Sequence, residues 1–255
     1  GVEPLTRKVL EKVPFLKVIS RCGVGMDSVD LAAAKEQGIK VYNTPLAPIA
    51  SVSEMALSLT LSFLKRIPQV DRYMKEGHWN KMKGNLLEGK VVGIIGCGRI
   101  GTQTARLFKA FGCTLLGFDP YVKDHSICKM EDINKVITES DIVSLHLPIT
   151  EKTRGLINAE VFRYMKPSSI LINTARGDLI DEEALFTALK KEQISGAALD
   201  VFTKEPYSGP LTDKSIADRI ILTAHIASSA VEGRAKMEAE SFKNLLKGLK
   251  EAELL

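Results

Sequence analysis

The chain is poor in cysteine, and its four thiols, Cys22, Cys97, Cys113 and Cys128, show no C-x-x-C spacing. A chain of 255 residues can build a sizeable core and needs no covalent staples, so reduced thiols in a cytoplasmic compartment are expected. No apolar run approaches the roughly 18 residues that a membrane span needs. The opening Gly1-Val2-Glu3-Pro4 has neither a charged n-region nor an apolar h-region. Both features point to a soluble protein with no membrane partner. No basic block or arginine-rich run occurs, and Lys plus Arg exceed Asp plus Glu by only 35 to 31, which argues against nucleic acid. Repeats, low-complexity tracts and metal-ligand spacings are missing as well. A small-molecule partner and no metal are what these absences leave.

What is present, from about residue 90 onward, is an alternation of short β-branched runs and amphipathic segments, the pattern of a parallel sheet covered by helices. The runs are Val91 to Ile95, Thr114 to Phe118, Asp141 to Leu145, Ser169 to Asn173, Gly196 to Val201 and Arg219 to Thr223. Helices are expected over Thr102 to Phe111, closed by Gly112, and over Glu182 to Glu192, opened by Asp181. Upstream, Ser51 to Tyr73 reads as one long buried helix that contributes to a subunit contact. Before it, strands Leu16 to Ser20 and Lys40 to Tyr42 flank a helix around Leu31 to Gln37, a separate small α/β unit. Ala230 to Glu251 reads as an amphipathic helix returning to that unit. The segment Val122 to Asn134 reads as too short to include a strand.

Gly96-x-Gly98-x-x-Gly101 directly follows the run Val91 to Ile95 and opens the next helix, the context a dinucleotide fingerprint requires. Gly96 permits the tight turn, Gly98 lets the backbone approach a pyrophosphate, and Gly101 lets helix and sheet pack closely. The unpaired N–H groups at the helix start meet the negative phosphates. Asp119, at the end of the second strand, stands 18 residues after Gly101, where a carboxylate reaches ribose hydroxyls and repels the extra phosphate of NADP. NAD is the expected cofactor.

Arg176, Glu205 and His225 each lie just past the carboxyl end of an apolar run, and ligands of open α/β sheets sit outside those ends. Protonating the oxyanion left by hydride transfer to a ketone suits His225. Glu205, held out of helix by Pro206, fits as the carboxylate that fixes its tautomer. Arg176 offers a planar fork for a substrate carboxylate, and Gly177 permits a turn after it. The glycine-rich turn Arg21 to Asp27 forms a possible anion nest of backbone amides. His146, beside Leu147-Pro148, is expected to shape the cofactor wall, and His78 and His125 to face solvent.

With these residues in place, the chain resembles the D-isomer-specific 2-hydroxyacid dehydrogenases, most of all their phosphoglycerate dehydrogenase branch. The matching stretches include Arg21 to Asp30 (RCGVGMDSVD), Gly89 to Gly101 (GKVVGIIGCGRIG), Leu145 to Thr153 (LHLPITEKT), Asn173 to Asp178 (NTARGD), Ala198 to Pro206 (ALDVFTKEP) and Thr223 to Ala227 (TAHIA). The resemblance implies an α/β fold in which a Rossmann-type doubly wound domain, residues 47–228, is inserted into a smaller flavodoxin-like substrate domain formed by 1–46 and 229–255. It also implies a cleft between the domains that closes on ligand, and a homodimer. Chains of this kind begin with a further strand and βα unit before the position of Gly1, so the substrate domain is expected to be incomplete.

For the site, the resemblance implies His225 as acid/base, Glu205 as its partner, and Arg176 on the substrate carboxylate together with Gly23, Val24 and Gly25. Gly96, Gly98, Arg99, Ile100, Gly101, Asp119, His146, Leu147, Pro148, Thr153, Thr174, Ala175 and Asp200 would line the cofactor. The implied activity is NAD-dependent hydride transfer on a small D-2-hydroxy acid, with D-3-phosphoglycerate first. Glyoxylate or hydroxypyruvate reduction is the alternative, and an NAD-sensing co-repressor platform a more distant one.

Overall fold

The computed structural model describes residues 3–255, which divide into two compact units, 3–51 with 228–255, and 52–227. In the first, parallel strands β1 (Val18–Ser20) and β2 (Lys40–Tyr42) pair with Val18 opposite Lys40, joined through the helix Leu31–Glu36. The Asp30 carboxylate caps that helix by accepting the Ala33 N–H at 2.8 Å. The long helix Val231–Glu251 packs on both strands, and a Cβ at Gly248 would lie 2.6 Å from Val18 Cγ1. Asn244 Nδ2 donates to the Asn43 carbonyl at 2.9 Å, fastening the same helix to the end of β2.

The second unit holds seven parallel strands: β3 (Val91–Ile95), β4 (Thr114–Phe118), β5 (Lys129–Met130), β6 (Ile142–Leu145), β7 (Ile170–Asn173), β8 (Gly196–Leu199) and β9 (Ile220–Leu222). Their order is β5-β4-β3-β6-β7-β8-β9, so chain direction across the sheet reverses between β3 and β6. Both faces are apolar. Ile95, Val143, Leu145 and Leu171 join one buried cluster, while Val92, Ile94, Ile142, Ile170 and Ile172 join the other. Successive side chains of one strand thus enter opposite cores, which is why these runs are continuously hydrophobic. The expected doubly wound α/β sheet is present.

Two expectations need correction. The stretch Ser51 to Tyr73 is two helices, Ile49–Leu64 and Ile67–Lys75, separated at Arg66 with φ 57°. Pro68 explains the break, since it has no N–H to donate and its ring crowds the preceding turn, so it sits in the first turn of a new helix. The region 122–134 does contain a strand, β5, although only two residues long. Two short helices, Ile133–Glu139 and Ala159–Tyr164, complete the cover, capped by the Asp132 and Asn158 side chains. Gly112 with φ 78° and Asp181, whose carboxylate accepts the Ala184 N–H, stand at the expected helix ends.

Candidate active site

Strand register decides what meets at the sheet's carboxyl edge. Phe118, Ile95, Leu145, Asn173, Leu199 and Leu222 pair across six strands as one row. One residue further along each strand come Asp119, Gly96, His146, Thr174, Asp200 and Thr223. The reversal point between β3 and β6, where open sheets of this kind part to admit ligands, therefore falls at Gly96 and His146.

The three glycines of the loop after β3 meet different demands. Gly96 has φ 100°, and a Cβ there would stand 2.7 Å from the His146 carbonyl carbon. At Gly101 a Cβ would lie 1.9 Å from the Gly96 oxygen, so helix Arg99–Ala110 can close on the sheet only without a side chain. Gly98 differs: a Cβ would meet nothing within 4 Å. The protein leaves that face open, which suits a ligand pressed against the backbone. Thr102 N–H makes the first helical bond, to the Gly98 carbonyl at 2.8 Å, so the Arg99, Ile100 and Gly101 amides begin the helix without helical acceptors. Open space, unpaired amides and a carboxylate at Asp119 together fit a dinucleotide.

Asp119 is oriented by the loop it serves. Its Oδ2 accepts the Cys97 N–H and its Oδ1 the Tyr121 N–H, both at 2.9 Å. His146 extends β6 by donating its N–H to the Ile95 carbonyl at 2.7 Å, and its Nε2 lies 2.9 Å from Ser144 Oγ. Burial pushes this imidazole down to about 4, so it is neutral at physiological pH. Leu147 is buried and Pro148 exposed. Thr153 closes the following turn, its hydroxyl donating to the Pro148 carbonyl at 2.8 Å.

At the end of β7, Asn173 is buried and folds the chain back on itself. Its Oδ1 accepts the Ala175 N–H at 3.0 Å, and its Nδ2 donates to the Arg176 carbonyl at 2.8 Å. Arg176 emerges half-buried, with Nη1 donating to the Ala175 carbonyl at 2.6 Å. Thr174 Oγ1 is buried with no hydrogen-bond partner among the described residues. Gly177 is needed for close approach: a Cβ would lie 1.9 Å from the Phe202 carbonyl carbon, on the backbone that leads to Glu205.

Glu205 and His225 meet directly, with Oε2 2.7 Å from Nδ1. The other carboxylate oxygen accepts the Phe202 N–H at 3.0 Å, which holds the pair in place. Nδ1 bound to a carboxylate carries the hydrogen, leaving Nε2 as the nitrogen that exchanges a proton. Side chains 39% and 25% exposed keep the pair within reach of a ligand. His225 has φ 53°, a left-handed conformation uncommon outside glycine, and it persists because the surrounding loop is tied down.

Asp200 supplies that tie. It is completely buried, and its carboxylate accepts the Ile226 N–H at 2.9 Å, the Ala227 N–H at 2.8 Å and the Thr223 hydroxyl. Its own carbonyl accepts the His225 N–H at 2.8 Å. Asp200, expected to line a cofactor, builds the histidine loop through these bonds. In the first unit, described by itself, Gly23 has φ 152° and gives its N–H to Thr44 Oγ1 at 2.8 Å, while Asn43 Nδ2 donates to the Val24 carbonyl at 2.7 Å.

Of the other histidines, His78 is exposed, whereas His125 is half-buried and bonded through both ring nitrogens, contrary to its expected solvent-facing position. Sequence reading also passed over Thr102 and Asn173 as individual contributors. Asn173 was visible inside the NTARGD stretch; nothing marked Thr102.

Residues 57–227 match the family model described as D-isomer specific 2-hydroxyacid dehydrogenase, NAD binding domain. The chain is 42% identical over 255 residues to D-3-phosphoglycerate dehydrogenase of Methanocaldococcus jannaschii, matching 96% of this chain and 48% of that protein. It is 39% identical over 249 residues to hydroxypyruvate reductase of Thermotoga maritima, covering 96% of this chain and 81% of the relative. The chain thus spans about half the length of the first relative and most of the second. The solved structure of D-lactate dehydrogenase from Aquifex aeolicus, complexed with NAD and lactic acid, superposes with a TM-score of 0.89 at 31% identity, over 98% of this chain and 81% of that one. Among the described residues no helix is long and apolar enough to cross a membrane.

Proposed function

The chain belongs to the D-isomer specific 2-hydroxyacid dehydrogenases, and from that membership we propose an NAD-dependent oxidoreductase that interconverts a small D-2-hydroxy acid and its 2-oxo acid. The observation that carries this reading is the Glu205–His225 pair at 2.7 Å, on the same sheet edge as the glycine loop. Bound NAD supplies the hydride chemistry. His225 Nε2 gives the proton to the C2 oxygen in reduction and removes it in oxidation, while Glu205 holds the ring and stabilises the imidazolium. Arg176 grips the substrate carboxylate with its guanidinium fork. Val24 and Gly25 are assigned to an anionic group of the substrate through their amides.

D-3-phosphoglycerate is the first substrate reading, supported by the relative of that name. Hydroxypyruvate or glyoxylate reduction is the second, supported by the reductase whose length is more fully matched. A panel of 2-oxo acids assayed with NADH, including phosphohydroxypyruvate, decides between them. NADH binding with no turnover on any of them would replace the enzyme with a sensing platform. His225→Asn is expected to abolish turnover and keep NADH affinity. We further assign a homodimer acting in the cytoplasm. The four free cysteines support a reducing compartment. A groove of about 540 Å³ lined by Ile67, Val70, Met74, Trp79 and Met82, with Trp79 75% exposed, supports a subunit contact. Sedimentation equilibrium of the wild type and of Trp79→Ala tests the contact.

A further inference from the structure

Parallel neighbours β4 and β5 are joined by Asp119 to Cys128, a segment without a helix, although parallel crossovers usually carry one. His125 fastens this segment. Its Nδ1 accepts the backbone N–H groups of Ile127 at 3.3 Å and Cys128 at 3.1 Å, so the ring hydrogen of the neutral imidazole is on Nε2. Nε2 therefore donates to Thr102 Oγ1 at 3.0 Å, and that hydroxyl passes its single hydrogen to the Cys97 carbonyl at 3.1 Å. The direction of every bond in the chain is determined by its far end.

Cys97 stands between the two glycines Gly96 and Gly98. Its N–H is already given to Asp119 Oδ2 at 2.9 Å, and its carbonyl is held through Thr102. Both polar groups of this residue are thus turned to protein partners, which orients the succeeding peptides of Gly98, Arg99 and Ile100. We propose that His125, acting through Thr102, is a positioning residue for the cofactor: it holds the glycine loop in the conformation that binds the pyrophosphate of NAD(H). The inference rests on the reading of this loop as the dinucleotide site.

The test is NADH titration of the purified protein, followed by nicotinamide fluorescence, alongside steady-state kinetics and thermal unfolding. His125→Ala is expected to raise the NADH Kd about tenfold, equivalent to about 1.4 kcal/mol, with kcat at saturating NADH within about twofold of wild type. Thr102→Val, which removes only the hydroxyl, should weaken NADH to a similar extent, and the double variant should be no weaker than His125→Ala alone. His125→Asn separates positioning from simple loop stability. Its Oδ1 can replace Nδ1 as acceptor for Ile127 and Cys128 but cannot reach Thr102, so Tm should recover and NADH affinity should not. Recovery of both by Asn, or additive effects of the two single variants, overturns the proposal. Should His125→Ala fail to fold, Thr102→Val carries the same decision, and wild-type NADH affinity in that variant overturns it. A wild-type protein that binds no NADH removes the cofactor reading and this inference together; wild-type binding with an unaffected Thr102→Val removes this inference alone.

Discussion

Replacing Asp200 by Asn changes one atom in a completely buried side chain and preserves its volume, so the outcome reports on hydrogen bonding alone. The carboxylate accepts two backbone N–H groups, from Ile226 and Ala227, and the Thr223 hydroxyl. An amide has one acceptor oxygen, and its NH2 group must face a donor that the carboxylate had satisfied. Losing a hydrogen bond to a charged acceptor is worth about 1.5–3 kcal/mol, and leaving a buried donor unpaired adds roughly 1–3 kcal/mol. A loss of about 3–5 kcal/mol is expected, a large share of the stability of a typical domain. The loop so loosened is the one that holds His225 at φ 53°.

Because a displacement of about 1 Å can reduce rate on the order of 10²-fold, turnover should fall by about that factor. NADH affinity should change little, since β8 lies three strands away from β3 and its glycine loop. Urea unfolding measures the first effect, and steady-state reduction of a 2-oxo acid with an NADH titration measures the second and third. A variant with the wild-type urea midpoint and kcat would refute the role of Asp200 in the histidine loop. Selective loss of NADH binding would return it to the cofactor.

At Gly177, substitution by Ala places a methyl 1.9 Å from the Phe202 carbonyl carbon. Backbone must move, and a stability loss of about 1–3 kcal/mol with at least tenfold lower kcat/KM is expected; unchanged kinetics would show that the Arg176 and Glu205 loops are not coupled there. His146, pushed down to about 4 from its ordinary value of 6.5, remains neutral in the folded state while the unfolded chain takes up a proton below pH 6.5. Stability should therefore decline as pH falls from about 6.5 to about 4, by up to roughly 3 kcal/mol, and His146→Gln should flatten that part of the unfolding profile; identical slopes would contradict the buried neutral imidazole. Asp119→Ser should narrow the preference for NAD over NADP, read as the ratio of the two Kd values, and an unaltered ratio would remove Asp119 from the ribose site. Arg176→Lys should raise KM for the 2-oxo acid strongly with NADH affinity kept, because the ammonium cannot reproduce the planar fork.

The sheet was legible in the sequence because its central strands β3, β6, β7 and β8 are buried on two faces, so Val91 to Ile95 and Ile170 to Ile172 stand out as unbroken apolar runs. Their edges were overdrawn where a polar residue does a different job. Asp141, read as the start of a strand, lies just before β6, where its Oδ2 accepts the Val91 N–H at 2.9 Å and its Oδ1 pairs with Lys166 at 2.8 Å. Short elements escaped notice. A two-residue strand and helices of seven and six residues are too brief to show a period, and they exist because neighbours and side-chain caps complete them.

The site divides along the same physical line. Gly96, Arg176, Glu205 and His225 could be picked out from one dimension, because each lies within six residues after a strand, and strand ends are where the row of the sheet brings residues together. The hydrogen-bonded supports could not. Asp200 is adjacent to β8 in sequence, but its hydrogen-bond partners are 23 to 27 positions later, on a loop that only the pairing of Leu199 with Leu222 brings within reach. His125 looked solvated because its neighbours in sequence are polar, whereas its ring bonds Thr102, 23 positions earlier, on the helix after the glycine loop. Both are polar groups whose partners are set by tertiary register, and a buried or half-buried polar group must find such partners somewhere. In a chain of this pattern, an Asp, His or Asn at a strand end with no ligand role is therefore better assigned by asking which adjacent loop lacks hydrogen-bond acceptors than by extending the list of ligand contacts.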